Sequence, residues 1–400
     1  MKFEWQDLTL SDIVQTVIDY RGKTPKKLGG DWSNKGYRAF SAKNIKTGQI
    51  VQPESIRFVD ETMYQKWMKE EIQKGDILIT SEAPFGQVFY WDSDEKIVLS
   101  QRLFGVRIKK QYDSRFVYYY MTTKEFQNEM DHRATGTTVV GLRQPELMKC
   151  SLRCPDYETQ RKISAVLTTI DKKIEVNEVI NHNLQQQARA IYREWFVDFT
   201  PNGGIMPTDW KSGRLKDILR LKRNAIKVGD EPLLPYLPID VIPMNTFALT
   251  EFRPNAEAQS SLITFDTDDI VIGAMRVYFH RVVLAPCKGI TRTTCFVLAP
   301  YDSDYFSFGL LCCDQDSTID YAQTTSKGST MPYAVWDGGL GDMEIVIPPR
   351  AIALKFNGII KPMLRQIQAS YFENLNLRNM RDSLLPKLMN GEIDVSEVEV

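Results

Sequence analysis

Two carboxylates and a lysine spaced to gather around a divalent cation are the first residues in this 400-residue chain that suggest chemistry: Asp156 after Pro155, then Asp171-Lys172-Lys173. Metal-dependent phosphodiester cleavage uses such a set, but its acids converge on the cation from strands and loops. Asp171 and Lys173 instead fall inside a helical run, where they read as charged side chains on its solvent side, and a nuclease built on Asp156, Asp171 and Lys173 stays as the alternative. The acid pairs Glu70-Glu71 and Asp268-Asp269 have no base or metal set beside them and read as solvated turns. His132, His182 and His280 are scattered, and Cys150, Cys154, Cys287, Cys295, Cys312 and Cys313 form no CxxC pair, so free, mostly buried thiols and no metal site are expected. There is no GxxxxGK[ST] phosphate loop, no strand-associated GxGxxG, no Asn-Pro-Pro-Tyr or Asp-Pro-Pro-Tyr stretch and no GxSxG elbow. The chain reads as one that binds rather than reacts, with no catalytic residues.

What it binds is suggested by where its cations lie. Net charge is only −1, yet Arg21, Lys23, Lys26, Lys27, Lys35, Arg38, Lys43 and Lys46 face the single acid Asp31 between positions 21 and 46. Lys211, Arg214, Lys216, Arg220, Lys222, Arg223 and Lys227 likewise face only Asp217 between 211 and 227. One such run suits a solvated surface; two at matching places suit a polyanion held at two sites.

The matching places belong to a duplication. Glu4-Trp5 with Leu10, Asp12 and Ile13 returns as Asp209-Trp210 with Leu215, Asp217 and Ile218. Gly75-Asp76-Ile77-Leu78-Ile79 returns as Asp268-Asp269-Ile270-Val271-Ile272, and Gly136-Thr137-Thr138 returns 192 positions later as Gly328-Ser329-Thr330. Apolar runs at 76–80, 87–91 and 104–108 predict strands in the first copy, and 270–272, 282–284 and 295–298 predict them in the second. Thr200-Pro201-Asn202-Gly203-Gly204 breaks the chain between the copies.

Each copy ends in a heptad seam. Ile163, Leu167, Ile170, Ile174, Asn177, Asn181 and Leu184 advance in steps of four and three, and Phe356, Ile360, Met363, Ile367, Ser370, Asn374 and Leu377 repeat the pattern. Both seams are polar in the middle, so in an antiparallel pair the polar layers meet, and sliding would bury them unpaired. Pro386 lacks a backbone donor, which predicts a stop or kink near Leu385. The fold class is therefore α+β: two similar mixed α/β domains separated by two long helices forming an antiparallel coiled coil, a pseudo-two-fold internal repeat. The expected boundaries are a first domain over 1–155, a first helix over 156–199, a second domain over 200–349, and a second helix with an acidic tail over 350–400.

The stretch Gly136-Thr137-Thr138, Leu142, Leu147, Pro155, Gln160, Ile163, Ile170-Asp171 and then 190–199, Ala-Ile-Tyr-Arg-Glu-Trp-Phe-Val-Asp-Phe, resembles the specificity subunits of type I restriction-modification enzymes. The resemblance covers essentially the whole chain and includes Ser100-Gln101-Arg102; the second copy departs from it at 348–353, where the Glu-x-Gln after the proline is missing. It implies two target-recognition domains, each reading one half of a split double-stranded DNA sequence, with the helices setting the gap and docking two methyltransferase (modification) subunits. Nuclease-translocase (restriction) subunits complete such complexes, and S-adenosylmethionine and Mg-ATP would be bound by those partners, none by this chain.

The DNA-contacting candidates are Lys23, Lys35, Arg38, Lys43, Asn44, Ser81, Arg102 and Arg143 in the first domain, and Lys222, Arg223, Arg276, Arg281, Arg292, Thr293 and Lys327 in the second. A coiled-coil adaptor that acts without DNA is the other alternative. No apolar run approaches the ~20 residues of a membrane span, and the opening Met1-Lys2-Phe3-Glu4-Trp5 is unlike a signal peptide, so a cytoplasmic protein with no membrane partner is expected.

Overall fold

A computed structural model describes residues 5–136, 140–259 and 261–399. Thr137 and Thr138 of the repeated motif, and Glu4, lie outside these. The chain forms two compact units, residues 1–172 with 379–400 and residues 173–378, so each long helix contributes to both.

In the first unit Val14–Asp19, Leu103–Ile108, Ile77–Thr80 and Val88–Tyr90 form an antiparallel sheet in that spatial order. All four side chains of Ile77–Thr80 are buried, because the sheet has a core on each face. Successive side chains of a strand point to opposite faces. Ile77, Ile79, Phe104 and Val106 accordingly enter a core with Phe116, Leu147, Ile163 and Leu167, while Leu78 and Leu103 enter another with Phe40, Trp67 and Trp91. The strands expected from alternation are thus apolar on both sides.

The second unit repeats this with Leu219–Lys222, Cys295–Pro300, Ile270–Gly273 and Val282–Leu284 in the same spatial order. Ile270, Ile272, Phe296 and Leu298 face one core, and Val271, Val283, Cys295 and Val297 face the other. A two-stranded ribbon also recurs, Gln6–Thr9 with Ser151–Cys154 and Lys211–Arg214 with Glu344–Ile347. The outer sheet differs between copies. It has three strands in the first unit (Arg57–Val59, Tyr37–Phe40, Val98–Leu99) and four in the second (Ala225–Ile226, Leu262–Phe265, Gly289–Arg292, Tyr236–Leu237).

The long helices are Tyr157–Phe196 and Arg350–Met389. Asp156 caps the first by accepting from the Thr159 N–H at 3.0 Å and its hydroxyl at 2.7 Å. Gln160 secures its start, donating to Pro155 O at 2.8 Å and accepting from the Asp113 N–H at 2.9 Å. The second helix starts at Arg350 without these residues, and Arg350 instead pairs with Asp304 at 2.7 Å. In the first unit Ile163 and Leu167 share a core with Leu388 and Met389. In the second, Tyr192 and Phe196 pack on Phe356, and Asn177 Nδ2 donates to Asn374 Oδ1 at 2.8 Å. Ile170, Ile174, Ile360, Ile367 and Ser370 are buried, and Leu184, Met363 and Leu377 half-buried.

Three expectations about the helices are corrected. The second helix runs through Pro386 to Met389, because Leu388 and Met389 are buried in the core and Leu384 and Leu385 pack against it three turns or fewer from the end. Asp171 is not on the solvent side: its carboxylate accepts from the Tyr119 hydroxyl at 2.7 Å and from Arg381 at 2.9 Å. The polar layers do not fully satisfy each other, since Asn181 Oδ1 is buried without a partner among the described residues and Ser370 is reached only by Gln366 at 3.4 Å.

The Asn177–Asn374 bond should behave as a register pin. Asn177→Ala is expected to lower stability by about 1–3 kcal/mol because it strands a buried amide. Joint replacement of both by leucine should restore most of that loss while loosening the register. Denaturant unfolding of the two variants measures the first, and disulfide trapping between cysteines placed one turn out of register measures the second.

Candidate nucleic-acid interface

At the ends of the shared strands each unit carries the same lattice of loops. In the first, the Ser81 N–H donates to Arg102 O and the Leu142 N–H to Ser81 O, both at 2.9 Å, while Thr135 and Gly141 exchange backbone hydrogen bonds. In the second, the Ala274 N–H donates to Thr294 O at 2.9 Å and the Ala334 N–H to Ala274 O at 2.8 Å, while Lys327 and Tyr333 exchange bonds at 2.9 Å. The partners lie 192 or 193 positions apart in the chain. Three loops are thereby fastened together in each copy by backbone groups alone, which leaves their side chains free to differ.

In the first unit the lattice gathers Ser81, exposed Arg102 and exposed Arg143, and the Ala42 N–H bond to Gln101 O (3.1 Å) brings exposed Lys43 beside them. In the second it gathers Arg276, Arg281, Arg292, Thr293 and Lys327, with Arg276, Thr293 and Lys327 exposed. Arg102 (φ 63°) and Arg276 (φ 50°) both occupy the left-handed region, a strained conformation for a residue with a Cβ and one that clusters at functional loops.

Charge commitment separates the candidates. Arg38 is held by Glu95 and Arg102 by Glu82 at 3.6 Å. Lys222 is held in the interior by Asp266 and by Asp269 at 2.6 Å. Burial by itself would depress the Lys222 ammonium, but the hydrogen bonds to both aspartates carry it above the ordinary lysine value. Arg223 pairs with Asp337 at 2.7 Å where both are well exposed, a pair easily displaced by an anion. Lys23 donates to Trp67 O at 3.2 Å and lies 4.4 Å above the Tyr20 ring. No ion pair among the described residues engages Lys35, Lys43, Arg143, Arg276, Arg281, Arg292 or Lys327.

Several expectations therefore need correcting. Asn44 is buried and pins its own loop, accepting from the Ser41 N–H at 3.1 Å and donating to Ser55 Oγ at 2.9 Å, so it has no free edge to offer a base. Ser81 is buried as well. Lys222 is an internal ion pair, and Lys23, Arg38 and Arg223 are tied to groups away from the loop lattice. The second basic stretch is largely neutralised, since Asp342 also takes Arg214 at 2.9 Å and Lys216 at 2.5 Å. For Arg38, Lys222 and Arg223 the signal that sequence reading lacked was the acid partner, in each case far away in the chain.

Buried polar atoms without partners among the described residues gather at these loops: Ser81 Oγ, Arg281 Nε, Arg292 Nε and Thr294 Oγ1. An unpaired buried donor is expensive, and a bound polar ligand reaching the two guanidinium Nε groups would complete them. Arg281 and Arg292 are half-buried guanidiniums lacking a carboxylate, a form suited to phosphate oxygens or to the acceptor edge of guanine. Sequence reading did not single out Tyr278, Met331 and Tyr333, which are exposed on the same loops.

The nuclease set does not assemble. Asp156 caps a helix, and Asp171, about 22 Å further along that helix, is bound to Tyr119 and Arg381. No group of His, Cys, Asp and Glu among the described residues is placed to hold a metal ion. The cysteines are free, and burial pushes the Cys150 and Cys154 thiols up to about 12, which leaves them unreactive. Among the described residues no helix is long and apolar enough to cross a membrane.

A duplicated unit that fastens three loops at the end of a sheet and arms them with cations, several of them in no ion pair among the described residues, is suited to hold a polyanion. The comparisons with known proteins agree. Residues 3–186 match the family described as type I restriction modification DNA specificity domain. The chain is 27% identical over 360 residues to the type I restriction enzyme MjaIX specificity subunit of Methanocaldococcus jannaschii, covering 81% of this chain and 79% of that one. It is 23% identical over 435 residues to the HindI specificity subunit of Haemophilus influenzae, covering 81% and 88%. Its fold is similar to that of the type I restriction-modification S subunit from M. genitalium, with a TM-score of 0.61 at 17% identity over 97% of this chain and 96% of that one. The chain is thus similar over most of its length to the specificity subunits of type I restriction-modification systems.

Proposed function

We propose that each unit's loop lattice reads one half of a bipartite double-stranded DNA sequence and that the paired helices set the gap between the halves. The helices also dock two methyltransferase subunits, with nuclease-translocase subunits joining the complete complex in the cytoplasm. The chain itself is non-catalytic: adenine methylation with S-adenosylmethionine, and cleavage driven by Mg-ATP, are carried out by the partners. The observation that carries this reading is the same lattice in both units, bearing Lys43 and Arg143 in the first and Arg276, Arg281, Arg292 and Lys327 in the second, which no acid among the described residues neutralises. Backbone bonds fix the loops, phosphate contacts orient the duplex, and the variable side chains supply base contacts.

The test is binding by the complex with its methyltransferase subunits to duplexes carrying its own methylated motif, mapped from cells that express it. A split motif bound at least 10³-fold more tightly than unrelated DNA is expected. Arg281→Gln with Arg292→Gln should weaken binding roughly 10- to 100-fold; if the contacts are to phosphate, the salt slope falls by about two and all sequences suffer alike, and if to guanine, one half-site alone loses discrimination. Binding unchanged in affinity and salt dependence would overturn the reading.

A further inference from the structure

We infer that the second recognition domain identifies a thymine by its 5-methyl group, and that Met331 and Tyr333 form the surface that receives it. This deepens the proposed function and rests on it. Met331 is 49% exposed and Tyr333 47%, with Tyr278 at 45% on the adjoining loop. Apolar side chains held out into water among Arg276, Lys327, Ser329 and Thr330 mark a surface that something apolar covers.

These side chains are not loosely displayed. Tyr333 exchanges backbone hydrogen bonds with Lys327 at 2.9 Å and forms a further bridge with Met275, and the Arg276 N–H donates to Pro332 O at 2.8 Å. Gly328 turns the chain at φ +89°, where a Cβ would come within 3.2 Å of Met331 O, so the turn presenting Met331 requires glycine. A rigid mount keeps the entropy lost on binding small.

The chemistry of the occupant follows from what a duplex offers. Base edges in the major groove present hydrogen-bond donors and acceptors at every pair, and the thymine methyl is the apolar group among them. Exposed Arg276 and Lys327 on either side would hold the phosphates that border it. In the first unit Gly141 stands at the position of Tyr333 and Phe85, packed against the core, at that of Tyr278, so neither aromatic ring of this surface has an exposed aromatic counterpart there. Dependence on a methyl group through Tyr333 therefore belongs to the second half-site.

Deoxyuridine removes only that methyl and leaves pairing intact. With the methyltransferase complex and its mapped motif, each thymine of both half-sites, on either strand, is replaced singly by deoxyuridine. One position in the second half-site should lose about five- to tenfold in affinity. The loss should vanish in the complex carrying Met331→Ala and Tyr333→Ala, which should keep its preference for the first half-site. If no thymine of the second half-site responds, or the response persists in the variant, the inference fails while the bipartite preference measured alongside still supports the proposed function. If the bipartite preference is itself absent, the proposed function fails first. The deoxyuridine series on the unaltered complex decides the matter even if the variant folds poorly.

Discussion

Exchanging residues 210–349 for the corresponding stretch of another specificity subunit is expected to rewrite one half of the recognised DNA sequence and leave the other half and the gap unchanged. The physical basis lies in how each unit is closed. Its sheet, its loop lattice and the core around Val271 and Val297 are made from residues of 210–349, while the core around Phe296 and Leu298 is completed by Tyr192, Phe196 and Phe356 of the long helices, which the exchange leaves in place. The outer sheet, four strands here against three in the first unit, is where the copies diverge, so differences in reading can accumulate there without disturbing the shared strands. Because each mismatched pair costs about 1–3 kcal/mol, a half-site of three or more changed pairs should lose at least ~10²-fold in affinity while the new half-site gains it. Methylation mapping of cells carrying the hybrid provides the readout. A change in both halves would mean that the units do not read independently.

The second large effect is expected at Asp314. Its carboxylate is fully buried and takes Arg189 of the first long helix in a bidentate pair, Nε at 2.6 Å and Nη2 at 3.0 Å, with His280 Nε2 at 3.3 Å. Arg189 Nη2 also donates to Asn245 O at 3.1 Å. Asp314→Ala leaves a half-buried guanidinium without its counter-ion, a loss of about 3–5 kcal/mol. For a unit of this size that lowers the melting temperature by roughly 6–20 °C in a thermal scan. Asp316, also 3.3 Å from His280 but 91% exposed, is the control, and Asp316→Ala should shift stability by no more than ~0.5 kcal/mol. His280 closes the loop that starts at Arg276 and is itself held at φ 49°, so the Asp314 variant should also bind DNA less selectively at the second half-site. Equal stability of the two variants would show that the pair is not what fastens the helix to its domain.

The duplication is legible because both copies must solve the same packing problem. Ile77-Leu78-Ile79 and Ile270-Val271-Ile272 are apolar at every position since each strand lies between two cores, and a short apolar run survives divergence when either face would lose burial. The heptad seams are legible for the same reason, and the polar layers could be expected to meet because a buried amide in an apolar seam needs another polar group opposite; that Asn177 takes Asn374 is seen in the structure. What misled was local. Pro386 breaks a helix on propensity, worth about 3 kcal/mol, and burial of Leu388 and Met389 outweighs it. Asp171 sits off the seam by spacing, yet Tyr119 and Arg381 draw it inward.

Among the candidate contacts the division is by range. Sequence by itself determined that there are two units, that long helices pair and that cations accompany each unit, because these follow from periodicity and repetition along the chain. Only the tertiary structure decided which cations are available. Glu95 neutralises Arg38 and Asp269 confines Lys222, each from a distant point in the chain, while Ser55 occupies Asn44 from within the same loop region. A charge is visible in one residue, but its availability depends on a partner that folding alone brings within hydrogen-bonding distance.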